Sequence, residues 1–169
     1  MGPVRIRPAS ELRESVAVAL REHSRRIRTG LGGVEIEHVG STSIPGALTK
    51  GDLDVLVRVD AAGFDAAVGA LRGLYAVHQP ENWTPTYASF ADRSASDPPV
   101  GVQLAVRGSA DDLLFAPFRQ ALIDDPALLR EYNDLKRSWD GADYEPYTEA
   151  KGAFVEQVLA RVRSGPEAR

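Results

Sequence analysis

A chain of 169 residues has the length of about one globular domain, and its 43% hydrophobic and 26% charged content excludes wholesale disorder. The chain contains no cysteine, which excludes disulfides, thiol catalysis and cysteine-based metal sites and fits a cytoplasmic location. The net charge of −4 argues against bulk electrostatic binding to nucleic acid. No apolar run approaches the length of a membrane span, and the N-terminus lacks an export signal core, so we expect no membrane association.

The first half of the chain predicts a helix followed by two strands. Apolar residues at helical spacing begin after Ser10, a candidate N-cap, and continue to Gly30. Alternating apolar and acidic residues predict a strand over 34–39. A connection rich in glycine and proline runs from residue 40 to 51, and a second strand is predicted over 53–59.

The remaining pattern predicts one more helix, three strands and then a helical third. Asp60 is a candidate cap for the inserted helix. The later strands are predicted over 75–78, 87–90 and 100–106. Three helices follow, with starts at Ser109, at Asp125-Pro126 and at Glu145-Pro146. This order predicts an α+β fold with a mixed sheet covered on one side, as a single domain over 1–163 with a disordered tail over 164–169.

Two acidic residues at the start of the second predicted strand are the first candidates for chemistry. Because strand side chains alternate, Asp52 and Asp54 point to the same face, where two unpaired carboxylates are costly. Mg²⁺ would relieve this repulsion and usually also binds substrate phosphates. The preceding Gly40-Ser41 turn offers backbone N–H groups and a hydroxyl for a triphosphate. Taken alone, each element is more often a solvated strand start or an ordinary turn; their spacing between two strands favours the functional interpretation.

The spacing of these two elements resembles the signature of the nucleotidyltransferase superfamily, and a longer run resembles the GrpB family, also called UPF0157. That run is Ile-Glu-His-Val-Gly-Ser-Thr-Ser-Ile-Pro-Gly-Ala-Leu-Thr-Lys over residues 36–50. The family's Phe-Arg, Glu-Tyr-x-x-Leu-Lys and Tyr-x-x-x-Lys-x-x-Phe motifs match residues 118–119, 131–136 and 147–154. The resemblance thus covers residues 10 to 162.

The resemblance implies a nucleotidyltransferase-like fold with a C-terminal helical portion. The activity of the family is poorly defined, and a similar domain is attached to dephospho-CoA kinase, where a folding role has been suggested. The resemblance therefore supports the fold more strongly than any reaction.

On this basis the first hypothesis is an enzyme that transfers a nucleotidyl group from ATP or another nucleoside triphosphate to an unknown acceptor. Asp52 and Asp54 would be catalytic and would hold Mg²⁺. The residues expected to bind nucleotide or phosphate are Gly40, Ser41, Thr42, Lys50, Arg119, Lys136 and Lys151. The three on separate predicted helices, at 119, 136 and 151, would neutralise phosphate oxygens, although solvated helix faces explain most such residues. Lys50 is also placed to pair with Asp52 instead.

Two departures from the family pattern keep other functions open. Many members have an apolar residue where this chain has Asp52, so this chain is closer to the catalytic superfamily. Many also have a His-Leu-His on the later strand, whereas residues 101–105 contain no histidine. Catalytic nucleotidyltransferases usually add a third carboxylate there, which Gln103 cannot replace. The alternatives are a non-catalytic binding or folding module, and a ligase or phosphotransfer enzyme using the same pocket.

His38 precedes the Gly40-Ser41 turn and follows the alternation onto the apolar face of its strand. We expect it to be a hydrogen-bonded, partly buried histidine that orients the turn.

Overall fold

Two sheets and five α-helices are present in the computed structural model, which describes residues 3–94 and 96–164. The strands are β1 (Arg7–Pro8), β2 (Glu35–Val39), β3 (Leu48–Thr49), β4 (Leu53–Val59), β5 (Ala76–His78), β6 (Tyr87–Ala91) and β7 (Val100–Val106). The helices are α1 (Arg13–Leu31), α2 (Phe64–Leu74), α3 (Phe115–Asp124), α4 (Pro126–Ser138) and α5 (Tyr144–Ser164).

The main sheet is mixed and has the strand order β2-β4-β7-β6-β5. The central strands β4 and β7 are parallel, and all other neighbours are antiparallel. Strand β4 is buried from Val55 to Val59, which is typical of a central strand covered on both faces. The short strands β1 and β3 form a separate antiparallel pair.

The main hydrophobic core lies between one face of the sheet and helices α1 and α2. Strand alternation sends Leu53, Val55 and Val57 to this face, where they are fully buried. Ile27 from α1 and Leu71 from α2 pack against them, each with no exposed surface. Burial of these aliphatic side chains stabilises the sheet and fixes its register.

The opposite face of the sheet is partly covered by the C-terminal helices, so the prediction of a sheet covered on one side is wrong. Leu56 and Ala105, which alternate onto this face, are fully buried, and Phe115 at the start of α3 packs against them. The physical reason is that this face also carries apolar side chains, which must be removed from water.

A second hydrophobic core holds the three C-terminal helices together. Leu122, Leu128, Tyr132 and Val158 are its buried members from α3, α4 and α5. Ile44 and Ala47, from the connection that precedes β3, also belong to this core. The connection is therefore fixed to the helical portion by packing.

The predicted α+β class, the mixed sheet and the C-terminal helical portion are confirmed. Two predicted caps are wrong. Ser10 lies in a 3-10 turn over Ala9–Leu12, and Asp60 precedes another over Ala61–Gly63, and neither side chain makes a capping bond. The Asp125 cap is confirmed, since its carboxylate accepts from the N–H groups of Ala127 and Leu128.

The predicted helix after Ser109 is divided into a 3-10 turn over Asp112–Leu114 and α3. Ser164, placed in the tail by the sequence, is the last residue of α5, and residues 165–169 of that predicted tail lie outside the described residues. Within the described ranges no helix has the length and apolar content needed to cross a membrane.

Candidate functional site

A cavity of about 270 Å³ lies between the sheet and the C-terminal helices. Its polar lining consists of Gly40, Ser41, Asp54, Tyr87, Gln103, Arg119, Tyr132 and Lys151, and its apolar lining of Val39, Ile44, Leu114, Phe115, Phe118 and Val155. Two surface grooves of about 600 Å³ lie elsewhere, but neither contains a site residue predicted from the sequence. The 270 Å³ cavity, at the end of β2 and the start of β4, is lined by five of the nine predicted site residues, whereas two other cavities are lined by one each, Thr42 and Lys151.

Asp54 is held between two glycines on the neighbouring strands. It pairs with Val39 on β2 and with Gly101 on β7, and Gly40 follows Val39 directly. A Cβ at Gly40 would lie 2.4 Å from Asp54 Oδ2, and one at Gly101 would lie 3.0 Å from Oδ1. The absence of side chains at both positions leaves room for the carboxylate. Burial raises the pKa of Asp54, which the nearby Lys151 opposes.

Gln103 and Tyr87 extend the polar surface from Asp54 along the sheet. Gln103 Nε2 donates to Asp54 Oδ1 at 3.4 Å, and Gln103 Oε1 accepts from the Tyr87 hydroxyl. Burial raises the pKa of Tyr87 to about 12, so its hydroxyl remains a donor at neutral pH. The amide of Gln103 thus lies beside Asp54, on the strand where a third carboxylate would be expected in a catalytic nucleotidyltransferase.

Asp52 is not part of the cavity lining and forms an ion pair with Lys50 instead. The two side chains are 26% and 27% exposed, and Lys50 Nζ also lies 4.8 Å from the ring centroid of Tyr144. The structure therefore contains the alternative considered above, an ion pair between Lys50 and Asp52. Asp52 remains close enough to Asp54 to contribute to its raised pKa.

This arrangement supplies too few oxygen ligands for Mg²⁺. Asp54 is the one carboxylate lining the cavity within the described part of the chain, since Asp52 binds Lys50 and the Gln103 carbonyl accepts from Tyr87. No group of three or more His, Cys, Asp or Glu side chains among residues 3–94 and 96–164 could hold a metal ion. As placed, these residues do not fit a magnesium site, because Mg²⁺ requires oxygen ligands in near-ideal octahedral geometry.

The three basic residues on separate helices do not all reach the cavity. Arg119 on α3 and Lys151 on α5 line it, whereas Lys136 on α4 has no exposed surface and lies behind Ser41. Lys136 Nζ is 2.5 Å from both Ser41 Oγ and the Leu48 carbonyl oxygen. Burial, reinforced by the charge of Lys151, lowers the pKa of Lys136 to about 6.

Lys151 and Arg119 bring positive charge to the cavity. The Tyr132 phenol and the Asp54 carboxylate raise the pKa of Lys151 despite its burial, so it is an ammonium at neutral pH. Arg119 donates to the Ser43 carbonyl oxygen at 3.2 Å, while its Nε is buried without a hydrogen-bond partner among the described residues.

Thr42 and His38 support the turn rather than the cavity. The Thr42 hydroxyl donates to the Asp52 carbonyl oxygen at 3.1 Å, so its oxygen accepts from His38 Nε2 at 2.9 Å. Burial lowers the pKa of His38, which fits a neutral ring protonated at Nε2. The expectation of a partly buried histidine that orients the turn is confirmed.

Two lining residues were missed as site residues in the sequence, Tyr87 and Tyr132. Tyr87 is set by alternation to the same face as Gln103, with which β6 and β7 bring it into contact. The alternation of side chains along β6 and β7 would therefore have indicated Tyr87, provided that the two strands had been paired. Tyr132 belongs to the matched Glu-Tyr-x-x-Leu-Lys motif, but that match does not say where its ring lies, because this depends on how α4 packs.

Comparison with known proteins relates almost the whole chain to one family. Residues 5–161 match the family model described as GrpB protein. A UPF0157 protein of Vibrio cholerae is 35% identical over 154 residues, covering 90% of this chain and 80% of that protein. A UPF0157 protein of Streptomyces coelicolor is 32% identical over 149 residues, covering 82% and 75%.

A solved structure has the same fold. The crystal structure of the conserved protein GrpB from Enterococcus faecalis superposes with a TM-score of 0.74 at 19% identity, covering 93% of this chain and 96% of that one. The two chains therefore share one fold, and the predicted mixed sheet with helices packed on it and a C-terminal helical portion is the fold observed.

Proposed function

The chain belongs to the GrpB family, and from this premise we propose that it binds a small organic anion in the cavity beside Asp54. The observation that supports the proposal is the charge of the lining: Arg119 and Lys151 provide two cations against the single carboxylate of Asp54. An anionic ligand would complete this charge balance, because guanidinium and ammonium groups are the usual partners of phosphate and carboxylate.

The size and apolar lining of the cavity define the rest of the ligand. A volume of about 270 Å³ is slightly below the usual range for small-molecule sites, which is roughly 300–1,000 Å³. Phe115 and Phe118 add aromatic surface to the lining. We therefore expect a compact ligand with a phosphate or carboxylate at one end and a short apolar or aromatic body at the other.

Isothermal titration calorimetry with phenyl phosphate, and with benzoate as the carboxylate counterpart, tests this function. We expect wild type to bind at least one of them and Lys151→Met and Arg119→Gln to bind it about 10- to 100-fold more weakly, since each removes a charged hydrogen bond. The matched control is Arg161→Gln, an exposed arginine on the same helix as Lys151. No binding by wild type, or equal binding by all variants, would refute the proposal.

A second candidate is Mg²⁺-dependent nucleotidyl transfer from ATP or another nucleoside triphosphate to an unknown acceptor. The observation in its favour is that Asp54 lies against Gly40, and that Asp52 is near enough to contribute to the raised pKa of Asp54. For both acids to act, Asp52 must leave Lys50. The ligase and phosphotransfer alternatives require the same change.

Titration with each nucleotide in the presence and absence of Mg²⁺ separates the candidates. Transfer predicts Mg²⁺-dependent heat on binding of the nucleotide, which is lost in Asp52→Asn. The binding function predicts that Asp52→Asn binds phenyl phosphate like wild type, because Asp52 lies outside the cavity lining. Mass spectrometry of the products would identify a ligase or a phosphotransfer reaction.

A further inference from the structure

The contact between Ser41 and Lys136 is not used by anion binding. Ser41 belongs to the cavity lining, and Lys136 Nζ lies 2.5 Å from its Oγ. In serine enzymes, a general base within hydrogen-bond distance of the serine hydroxyl activates it as a nucleophile. Lys136 has this position relative to Ser41, which lines the cavity.

The other two contacts of Lys136 Nζ are with groups that accept N–H donors, the Leu48 carbonyl oxygen and the face of the Tyr132 ring. A neutral amine has two N–H groups and one lone pair. The Leu48 carbonyl oxygen accepts one N–H, and the Tyr132 ring, with its centroid 4.0 Å from Nζ, lies beside the amine. The lone pair is then available to the Ser41 hydroxyl, which donates to Nζ in this form.

The charges around Lys136 favour the neutral form. No carboxylate in the described part of the chain lies within ion-pair distance of its Nζ. Lys151 on α5 lowers the pKa of Lys136, and Asp54 on β4 raises it to a lesser extent than burial lowers it. At the pKa of about 6 that results, most of Lys136 is unprotonated at neutral pH.

Two candidate donors for a developing negative charge belong to the lining of the same cavity as Ser41. Arg119 lines the same cavity, and its buried Nε has no partner among the described residues. The Tyr132 hydroxyl lies 3.4 Å from Ser41 Oγ. Such preorganised donors stabilise the oxyanion of a tetrahedral acyl intermediate.

We propose that Ser41 is an acyl-accepting nucleophile and that Lys136 is its general base in the hydrolysis of a short-chain ester. Ser41 Oγ forms a bond to the ester carbonyl carbon, and its proton moves to Lys136 Nζ. The bond to the alcohol oxygen breaks, and the alcohol leaves with that proton. Water then attacks the acyl-serine, Lys136 takes its proton and returns it to Ser41 Oγ, and the carboxylic acid is released.

The cavity limits the substrate class. Its volume of about 270 Å³ and its apolar residues fit a short acyl or aryl ester, and its cations fit an ester that also has an anionic group. In this last respect the inference rests on the proposed binding function, whereas the chemistry of Ser41 does not.

Covalent labelling with phenylmethanesulfonyl fluoride, followed by intact-mass measurement and peptide mapping, tests the inference. In this reaction Ser41 Oγ displaces fluoride from sulfur and passes its proton to Lys136. We expect one adduct on Ser41, none at this peptide in Ser41→Ala, and labelling about 100-fold slower in Lys136→Met. Ser138→Ala, which removes an exposed hydroxyl on the same helix as Lys136, should be labelled at the wild-type rate.

The pH profile of the wild type provides a readout that a structural role of Lys136 would not produce. The labelling rate should rise as the pH passes through about 6, where Lys136 loses its proton, and should level off at higher pH. This measurement remains decisive if Lys136→Met does not fold. No adduct on Ser41 in folded wild type from about pH 5 to about pH 9, or equal rates in wild type and Lys136→Met, would overturn the inference.

The same experiments distinguish failure of this inference from failure of the binding function. Wild type that binds phenyl phosphate but takes no label refutes the serine chemistry alone. Wild type that is labelled on Ser41 but binds neither phenyl phosphate nor benzoate refutes the binding function alone.

Discussion

The backbone of Gly40 lies against the carboxylate of Asp54, with no space for a side chain between them. The two residues belong to the end of β2 and the start of β4, which pair antiparallel. Gly40 also has a φ of 72°, a left-handed conformation that glycine adopts readily. This contact places the turn that carries Ser41 at the edge of the cavity.

Replacement of Gly40 by alanine should therefore destabilise the fold. The new Cβ would lie 2.4 Å from Asp54 Oδ2, and the left-handed backbone adds strain. We expect Gly40→Ala to lower the free energy of unfolding by about 3 kcal/mol, measured by urea denaturation. The control is Gly152→Ala in α5, where a Cβ meets nothing within 4 Å and the helix should gain about 0.5–1 kcal/mol. Equal effects at both positions would contradict the contact.

The ion pair between Lys50 and Asp52 should be weak. Both side chains are about a quarter exposed, and water screens such pairs. A double-mutant cycle with Lys50→Met and Asp52→Asn should give a coupling free energy of about 0.5–1 kcal/mol, reduced by added salt. A coupling of several kcal/mol would show that Asp52 is held away from the cavity, and would weigh against nucleotidyl transfer.

The buried amine of Lys136 should make stability depend on pH. Its folded-state pKa of about 6 lies below the ordinary value of 10.5, so between these values the unfolded chain binds more protons. Stability should therefore rise with pH in this window, by up to about 1.4 kcal/mol per pH unit, and fall as pH drops towards 6. Urea denaturation of Lys136→Met should lack this rise. The same slope in both proteins would mean that Lys136 is charged in the folded state.

Arg58 should be important for stability. Its Nε donates to Asp112 Oδ1 at 2.6 Å, and its guanidinium also pairs with Glu35 and Glu37. Because Asp112 is buried, Arg58→Met would leave an unpaired buried carboxylate and should cost about 3–5 kcal/mol of unfolding free energy.

Arg107 offers a matched control for Arg58. It also pairs with Glu35, but half of its side chain is exposed. Arg107→Met should cost much less than Arg58→Met in the same denaturation assay, because solvent screens its ion pairs. Similar losses in the two variants would show that burial of the Asp112 partner is not what makes Arg58 important.

Local sequence pattern was sufficient for the strands that position the site. The predicted ends of β4 and β7 agree with the structure, because both strands are apolar runs bounded by turn residues. The start of α1 was misplaced, since Ser10 is typical of a cap but the chain there forms a 3-10 turn. The placement of Asp54 beside Gly40 follows from the antiparallel pairing of β2 with β4, which was not predicted from the sequence.

The helical part of the site depends on packing that local pattern does not encode. Along α4, Leu128, Tyr132 and Lys136 share one face and are buried together. A lysine is expected on a solvated face, so hydrophobic periodicity gave no signal that Lys136 is inside. Only the position of β3, whose Leu48 carbonyl oxygen accepts from it, explains that burial.

The connection between β2 and β4 is anchored to the C-terminal helices as well as to the sheet. Asn133 on α4 donates to the Gly46 carbonyl oxygen and accepts from the Leu48 N–H, and Ile44 lies in the helical core. A change in the packing of α4 would therefore displace this segment, and with it the lining residues Gly40 and Ser41.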